Sequence, residues 1–220
     1  MSVWAVLAAA GSGERLGADR PKAFVRLGER PLLAESLERL DASGWVDEIV
    51  VAAPPGWEEP VILLAEELGC GKVSSAVAGG ATRAESVRLG LAEVSEEAAA
   101  VVVHDAARPL VDDAVVGRVL DALNDGWDGA VPALALVDTI KRVDGERVIE
   151  TLPRDELRAV QTPQAFVAGV LRGALNGSSD WTDCAAAVES AGGRVKAVEG
   201  DARLVKITDT ADLERVAALL

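Results

Sequence analysis

Cysteine is scarce in this sequence. Cys70 and Cys184 are the only two, and they make neither a metal-ligand nor a redox spacing. That removes a disulfide scaffold and a cysteine metal site, and it points to a reducing compartment, the cytoplasm. Histidine occurs once, at His104, with no Ser or Cys motif for it to activate, and reads first as a structural residue. The patterns G-x-S-x-G, H-E-x-x-H and C-x-x-C are missing, so hydrolase and zinc-enzyme readings lose their support. No apolar run reaches membrane-spanning length, and the N-terminus carries neither a basic region nor a cleavage site. Neither a membrane association nor a secretory signal is therefore expected. Positive charge is the minority sign: 22 Lys and Arg against 36 Asp and Glu leave a net −14. Such a surface repels nucleic acid and anionic membranes, so neither is expected as a partner.

What remains is a half-apolar chain of 220 residues, enough for one sizeable α/β domain over 1–220. Strand-like apolar runs alternate with amphipathic helical runs. Strands are expected at Ser2–Ala9, Glu48–Ala53, Lys72–Val77, Ala99–Val103 and Gly129–Leu136. Helices are expected between them, at Pro31–Ala42, Glu58–Leu68, Thr82–Val94 and Asp112–Asn124. Leu33, Leu37 and Leu40 share one face of the first helix, and Gly69 stops the second. This alternation gives a mostly parallel sheet with helices on both faces. The pattern then changes. VDTIKRVDGERVIETL sets two alternating runs around Asp144-Gly145, a hairpin signal with polar faces. A β-arm at about 137–153 should project from the body. Helices near Phe166–Leu175 and Thr182–Ala191, strands at Arg194–Val198 and Arg203–Ile207, and a helix at Ala211–Leu220 complete the expected order.

Ligands of parallel sheets sit at the C-terminal strand ends, and two distinctive stretches fall there. The first, AVLAAAGSGERLGADRPKAF, passes from an apolar strand into a glycine-rich turn flanked by Arg15 and Lys22. Glycine lets the backbone approach a ligand, and clustered amides cradle phosphate. It is not a P-loop, because the second glycine of G-x-x-x-x-G-K-[ST] would fall on Leu16. Nor is it a dinucleotide fingerprint: the third glycine comes one place late, at Gly17, and Pro21 interrupts the following helix. Charge nevertheless gathers here. Five cations (Arg15, Arg20, Lys22, Arg26, Arg30) against three anions (Glu14, Asp19, Glu29) give the first thirty residues a net +2. A small anion is the natural ligand. The second stretch, VVVHDAARP, sets Asp105 at a strand end, where Mg²⁺ could be held jointly with substrate phosphates. Capping of the next turn fits the same residue. In AGGATRAESV, Gly79-Gly80 precede a helix carrying Arg83 and Ser86, with Thr82 and Glu85 spaced as a capping box.

Taken in order, AAAGSGERLG, PKAF, GGATRAESV, HDAARP, VDTIKR, PRDELRAVQTPQAF, WTD and RLVKIT resemble one family nearly end to end: the 2-C-methyl-D-erythritol 4-phosphate cytidylyltransferases of the non-mevalonate isoprenoid pathway. The resemblance implies a Rossmann-like nucleotide-diphospho-sugar transferase fold whose β-arm builds a homodimer. It implies transfer of the cytidylyl group of CTP to 2-C-methyl-D-erythritol 4-phosphate, with Mg²⁺ held largely by the CTP phosphates. By the same resemblance Arg15 and Lys22 match cations that stabilise charge on the reacting phosphates, and Arg154 and Lys206 complete the catalytic set. Ala9, Ala10, Gly11, Gly13, Gly80, Arg83, Ser86 and Ala106 match nucleotide-binding positions. Asp105, Arg108, Thr139, Thr162 and Thr182 match the acceptor side, with Asp105 also the metal candidate. Arg154 follows the arm and matches a residue that reaches into the neighbouring subunit's site. Two positions depart from the family pattern: Ala81, where relatives often carry an acidic or polar residue, and Cys184, where many have a second acid.

Two rival readings share parts of this pattern. A ribitol 5-phosphate cytidylyltransferase has the glycine loop, the PK pair and a similar HDA-x-RP stretch; HDAARP together with TPQ favours the methylerythritol acceptor. A non-catalytic nucleotide-binding module would have no need of Lys22, Arg108, Arg154 and Lys206 together.

Overall fold

The computed structural model describes residues 2–17, 19–176 and 181–220. In chain order, β1 (Val3–Ala8) leads through the glycine loop to a short ribbon, β2 (Arg26–Leu27) and β3 (Arg30–Pro31), and then to α1 (Leu32–Asp41). β4 (Glu48–Ala53), α2 (Glu58–Leu68), β5 (Val73–Ala78), α3 (Arg83–Ala92), β6 (Ala100–Asp105), α4 (Asp113–Asn124) and β7 (Gly129–Ala135) alternate as the sequence predicts. β8 (Ile140–Asp144) and β9 (Arg147–Leu152) form the hairpin. β10 (Arg158–Val160), β11 (Gln164–Val167), α5 (Ala168–Leu175), α6 (Cys184–Ser190), β12 (Val195–Glu199) and α7 (Thr210–Ala217) finish the chain.

Eight of the strands form one sheet. β1 lies between β4 and β6, and β5 flanks β4, all parallel. Antiparallel β11 inserts between β6 and β7, while β7 also pairs β10 antiparallel and β12 parallel. Side chains alternate across a strand, so each strand feeds two cores. Leu7, Val51 and Val102 pack with Leu37 of α1, Val61 of α2 and Val119 of α4. Val6, Val50 and Val103 pack with Val87 of α3, Leu171 of α5 and Val188 of α6. Helices therefore cover both faces, and a fully buried Leu37 or Val87 contributes roughly 2 kcal/mol through burial. Among the described residues no helix is long and apolar enough to cross a membrane.

The arm forms where expected. Among the described residues β8 and β9 pair only with each other, across a turn with Gly145 at φ 56°, and they expose Val143, Val148 and Ile149. Two expectations fail. The run predicted to open a helix at Phe166 is strand β11, and the helix begins only at Ala168. A short apolar run does not reveal its own period; here Phe166 is fully buried within the ladders to β6 and β7. Arg203–Ile207 is a loop, not a strand. Its amides bond to loop carbonyls, Leu204 N–H to Asp201 at 3.0 Å and Ile207 N–H to Ala107 at 2.8 Å. Strand β6, by contrast, ends at Asp105 as the sequence suggests. Its ladder with β1 continues to the pair Ala8–Asp105.

Candidate active site

That last pair builds the site. With Ala8 opposite Asp105, the glycine loop after β1 and the carboxylate ending β6 open on one sheet edge. A cavity of about 490 Å³ lies there. Ala9, Ala10, Gly11 and Lys22 line it from the first loop, and Gly80, Arg83 and Ser86 from the start of α3. Asp105, Ala106 and Lys206 close the ring. The loop folds back on itself, the Lys22 amide donating to the Gly11 carbonyl at 3.3 Å. Gly13 makes that closure possible. It sits at φ 76°, and a Cβ there would lie 2.9 Å from Lys22 Cβ. Beyond the loop, the Phe24 ring packs 4.5 Å from Trp57 and anchors the PKAF segment.

The electrostatics favour an anion. Asp105 is buried, and its two oxygens meet Arg83 Nε at 2.8 Å and Lys206 Nζ at 2.7 Å. Burial opposes its charge, but Arg83 and Lys206 outweigh it and hold the carboxyl well below the usual range. Lys22 is half-buried, and among the described residues its ammonium has no ion-pair partner. Burial first, then the charges of Lys206 and Arg15, push its pKa below the ordinary lysine value. Arg15 itself is exposed and stands outside the cavity lining. Among the described residues Arg83 leaves Nη2 buried without a partner, and it sets Nη1 3.7 Å from Cys184 Sγ. Burial raises that thiol to about 11, so it faces Arg83 as a neutral group.

Behind Asp105 runs a second layer of polar contacts. His104 is fully buried, and its Nε2 lies 3.0 Å from the Arg108 carbonyl, which can only accept. Nε2 therefore carries the proton, and Nδ1 accepts from the Thr162 hydroxyl at 3.1 Å. Thr162 Oγ1 in turn accepts the Asp105 amide at 3.0 Å. The histidine is structural, as its isolation in the sequence suggests. Burial pushes its pKa down to about 4. An unfolded histidine titrates near 6.5, so between the two values unfolding takes up a proton. Stability should fall as pH drops through that window, by up to about 1.4 kcal/mol per pH unit. Denaturant titrations between about pH 7 and pH 4.5 should give a slope about one proton steeper than in His104→Gln; equal slopes would contradict it.

At the start of α3, Thr82 caps the helix by accepting the Glu85 amide at 3.2 Å, as predicted. The return bond differs from a capping box: the Glu85 carboxylate takes the Ala81 amide at 2.8 Å, one residue earlier. Ser86 is buried; its hydroxyl donates to the Thr82 carbonyl and accepts from the Gly80 amide. The remaining predicted residues stand apart from the cavity lining. Arg108 lies beneath the Lys206 loop, donating to the Leu204 carbonyl at 2.5 Å. Thr139, Arg154 and Thr182 are exposed, and Arg154 donates to the Val137 carbonyl at the foot of the arm. Ser12 and Glu14 line the cavity but carry no signal that singles them out in sequence, and Ala81, a departure from the family pattern, lines it beside them.

Comparison with known proteins gives the family of this chain. The family model described as 2-C-methyl-D-erythritol 4-phosphate cytidylyltransferase matches residues 3–220. A protein of that name from Nocardia farcinica is 44% identical over 220 residues, spanning 100% of this chain and 94% of the relative. Another from Rubrobacter xylanophilus is 41% identical over 221 residues, spanning 98% and 94%. The crystal structure of the enzyme of that name from Thermus thermophilus superposes with TM-score 0.79 at 36% identity, covering 100% of this chain and 98% of the other. The structure of 4-diphosphocytidyl-2C-methyl-D-erythritol synthase from Anaerococcus prevotii gives TM-score 0.85 at 25% identity, covering 99% and 97%. With the cavity formed where the glycine loop meets Asp105, and with similarity along its whole length, the chain belongs to the 2-C-methyl-D-erythritol 4-phosphate cytidylyltransferase family.

Proposed function

We infer that the chain transfers the cytidylyl group of CTP to 2-C-methyl-D-erythritol 4-phosphate, giving 4-diphosphocytidyl-2-C-methyl-D-erythritol and pyrophosphate. The observation that carries this chemically is Lys22, a half-buried ammonium that has no ion-pair partner among the described residues and feels the charges of Arg15 and Lys206. A cavity that stores unneutralised positive charge is suited to polyanions. The relatives reported above carry the methylerythritol name, and none of them supports the ribitol 5-phosphate reading.

An acceptor phosphate oxygen attacks the α-phosphorus of CTP, and the bond to the bridging oxygen of the β-phosphate breaks. The nucleophile needs no base, because a phosphate monoester has its second pKa near 6 and is mostly dianionic at neutral pH. That suits a site whose one histidine is buried and neutral. The barrier is charge repulsion. Lys22 and Arg15 take the triphosphate, with the amides of the Gly11–Gly13 turn beside them. Lys206, held by Asp105, stands for the acceptor side with Arg108 near its loop. Among the described residues no cluster of three or more His, Cys, Asp or Glu could hold a metal. Asp105 fits Mg²⁺ only as a single protein ligand completed by CTP phosphates and water, the usual habit of that ion. Bound there, Mg²⁺ would neutralise charge on the reacting phosphates.

A homodimer built by the arm is supported by its exposed Val143, Val148 and Ile149, and by Arg154 lying outside its own chain's cavity. Mixing Arg154→Ala subunits with Lys22→Ala subunits should recover roughly a quarter of wild-type activity per mixed population if sites are shared. No recovery in verified mixed dimers would argue against Arg154 acting across subunits. The two cysteines are both unpaired, which suits a reducing cytoplasm. The activity itself is tested by a pyrophosphate-release panel, four nucleoside triphosphates against several sugar and polyol phosphates. CTP with methylerythritol phosphate should dominate; dominance of ribitol 5-phosphate would overturn the assignment of acceptor.

A further inference from the structure

We propose that Gln161 is a positioning residue for Lys206, setting that ammonium through the loop that carries it. The proposal rests on the reading of Lys206 as a substrate-facing cation. Gln161 is buried, 6% exposed, and both ends of its amide are used on one residue of that loop. Nε2 donates to the Asp201 carbonyl at 2.8 Å, and Oε1 accepts the Asp201 amide at 3.0 Å. Its own backbone is fixed, the Gln161 amide donating to the Pro132 carbonyl of β7 at 2.8 Å. The loop packs directly on the side chain. A Cβ added at Gly200 would lie 2.5 Å from Gln161 Oε1, so glycine is what lets the backbone come this close.

From that clamp the loop reaches the cavity in a fixed path. The Asp201 carbonyl also accepts the Leu204 amide at 3.0 Å, and the Leu204 carbonyl accepts from Arg108. Leu204 and Ile207 are fully buried, and the Ile207 amide bonds to Ala107. Lys206 stands between these anchors with Nζ on Asp105. Because Arg203–Ile207 is a loop without a ladder, its position depends on such side-chain ties rather than on a sheet. Releasing the Gln161 end frees the Asp201 backbone from both of its bonds to that side chain and loosens the approach to Lys206, while the ties at Gly200, Arg203 and Leu204 remain. An ammonium displaced by about 1 Å costs rate out of proportion to the lost hydrogen bonds.

The test is a double-mutant cycle with separate readouts for binding and stability. Gln161→Met keeps the volume and removes both hydrogen bonds; Gln161→Glu keeps the acceptor half and serves if the first variant folds poorly. Each is measured alone and in the Lys206→Ala background for kcat and acceptor KM, with CTP binding by calorimetry and a thermal melt. Gln161→Met alone should lose about tenfold in kcat/KM for the acceptor while CTP affinity stays within about twofold. In the Lys206→Ala background the same change should cost less than about twofold, because its target is gone. An equal loss in both backgrounds, no loss at all, or a parallel loss of CTP binding would overturn the proposal. If Lys206→Ala itself keeps full activity, the reading of Lys206 fails and the proposal falls with it. A wild-type protein inactive with CTP and methylerythritol phosphate marks failure of the functional reading instead.

Discussion

Lys22→Ala should lower kcat by about 10²–10³-fold and leave the protein as stable as before, or slightly more stable. The two halves have one cause. Lys22 is partly desolvated, has no ion-pair partner among the described residues, and is repelled by Lys206 and Arg15. Removing it relieves an unfavourable arrangement. The backbone bonds of Lys22, its amide to the Gly11 carbonyl and its carbonyl from the Val25 amide, do not involve its side chain and survive. In the reaction the same ammonium meets a triphosphate that gains charge at the leaving group, and losing one preorganised contact of that kind costs about 3 kcal/mol of barrier. Turnover at saturating CTP and urea unfolding at neutral pH check both halves. A variant that loses stability together with activity would assign Lys22 a structural role.

Asp105→Asn should fail in the opposite way, losing stability as well as activity. The carboxylate is the counter-charge to both Arg83 and Lys206. An amide of the same shape keeps the packing but leaves two cations facing each other, one of them largely buried. Breaking such a pair from one side costs about 3 kcal/mol, taken at the low end because Lys206 is 41% exposed on its side chain. The sign with pH follows from the depressed pKa of Asp105. Its contribution is complete above the unfolded value near 4 and fades as pH falls through the lower folded value. The gap between wild type and variant should therefore be constant around neutrality and narrow only below about pH 4. Activity should drop by about 10²-fold, since Lys206 loses the group that orients it. Denaturant unfolding from neutral to acid pH, paired with turnover, separates these effects; a gap that widens in acid would refute the pairing.

The two stretches that make the cavity were legible because each carries its own local signal. Glycines and cations cluster between Gly11 and Lys22, and Asp105 ends an apolar strand; the parallel register of β1 and β6 then joins them. Alternation of strand and helix likewise announced the body of the fold and the Asp144-Gly145 turn announced the arm. What stayed hidden depends on one misread segment. With Phe166 taken as helical, nothing in the sequence brings residues 161–164 beside β6. Once β11 is inserted antiparallel there, Thr162 reaches the Asp105 amide and Gln161 reaches the Lys206 loop. RLVKIT shows the same weakness. Its apolar spacing reads as a strand, while Leu204 and Ile207 are in fact buried as anchors of an irregular loop. Buried polar contacts between distant residues leave no local periodicity, so topology must come first.

The most direct measurement is a crystal structure of the protein soaked with CTP. The triphosphate should lie against the Gly11–Gly13 amides, with phosphate oxygens in hydrogen-bond reach of Lys22 Nζ and the cytidine between Ala10 and Ala106. Cytidine nucleotide bound at another surface, with the glycine loop empty and Lys22 turned to solvent, would contradict it.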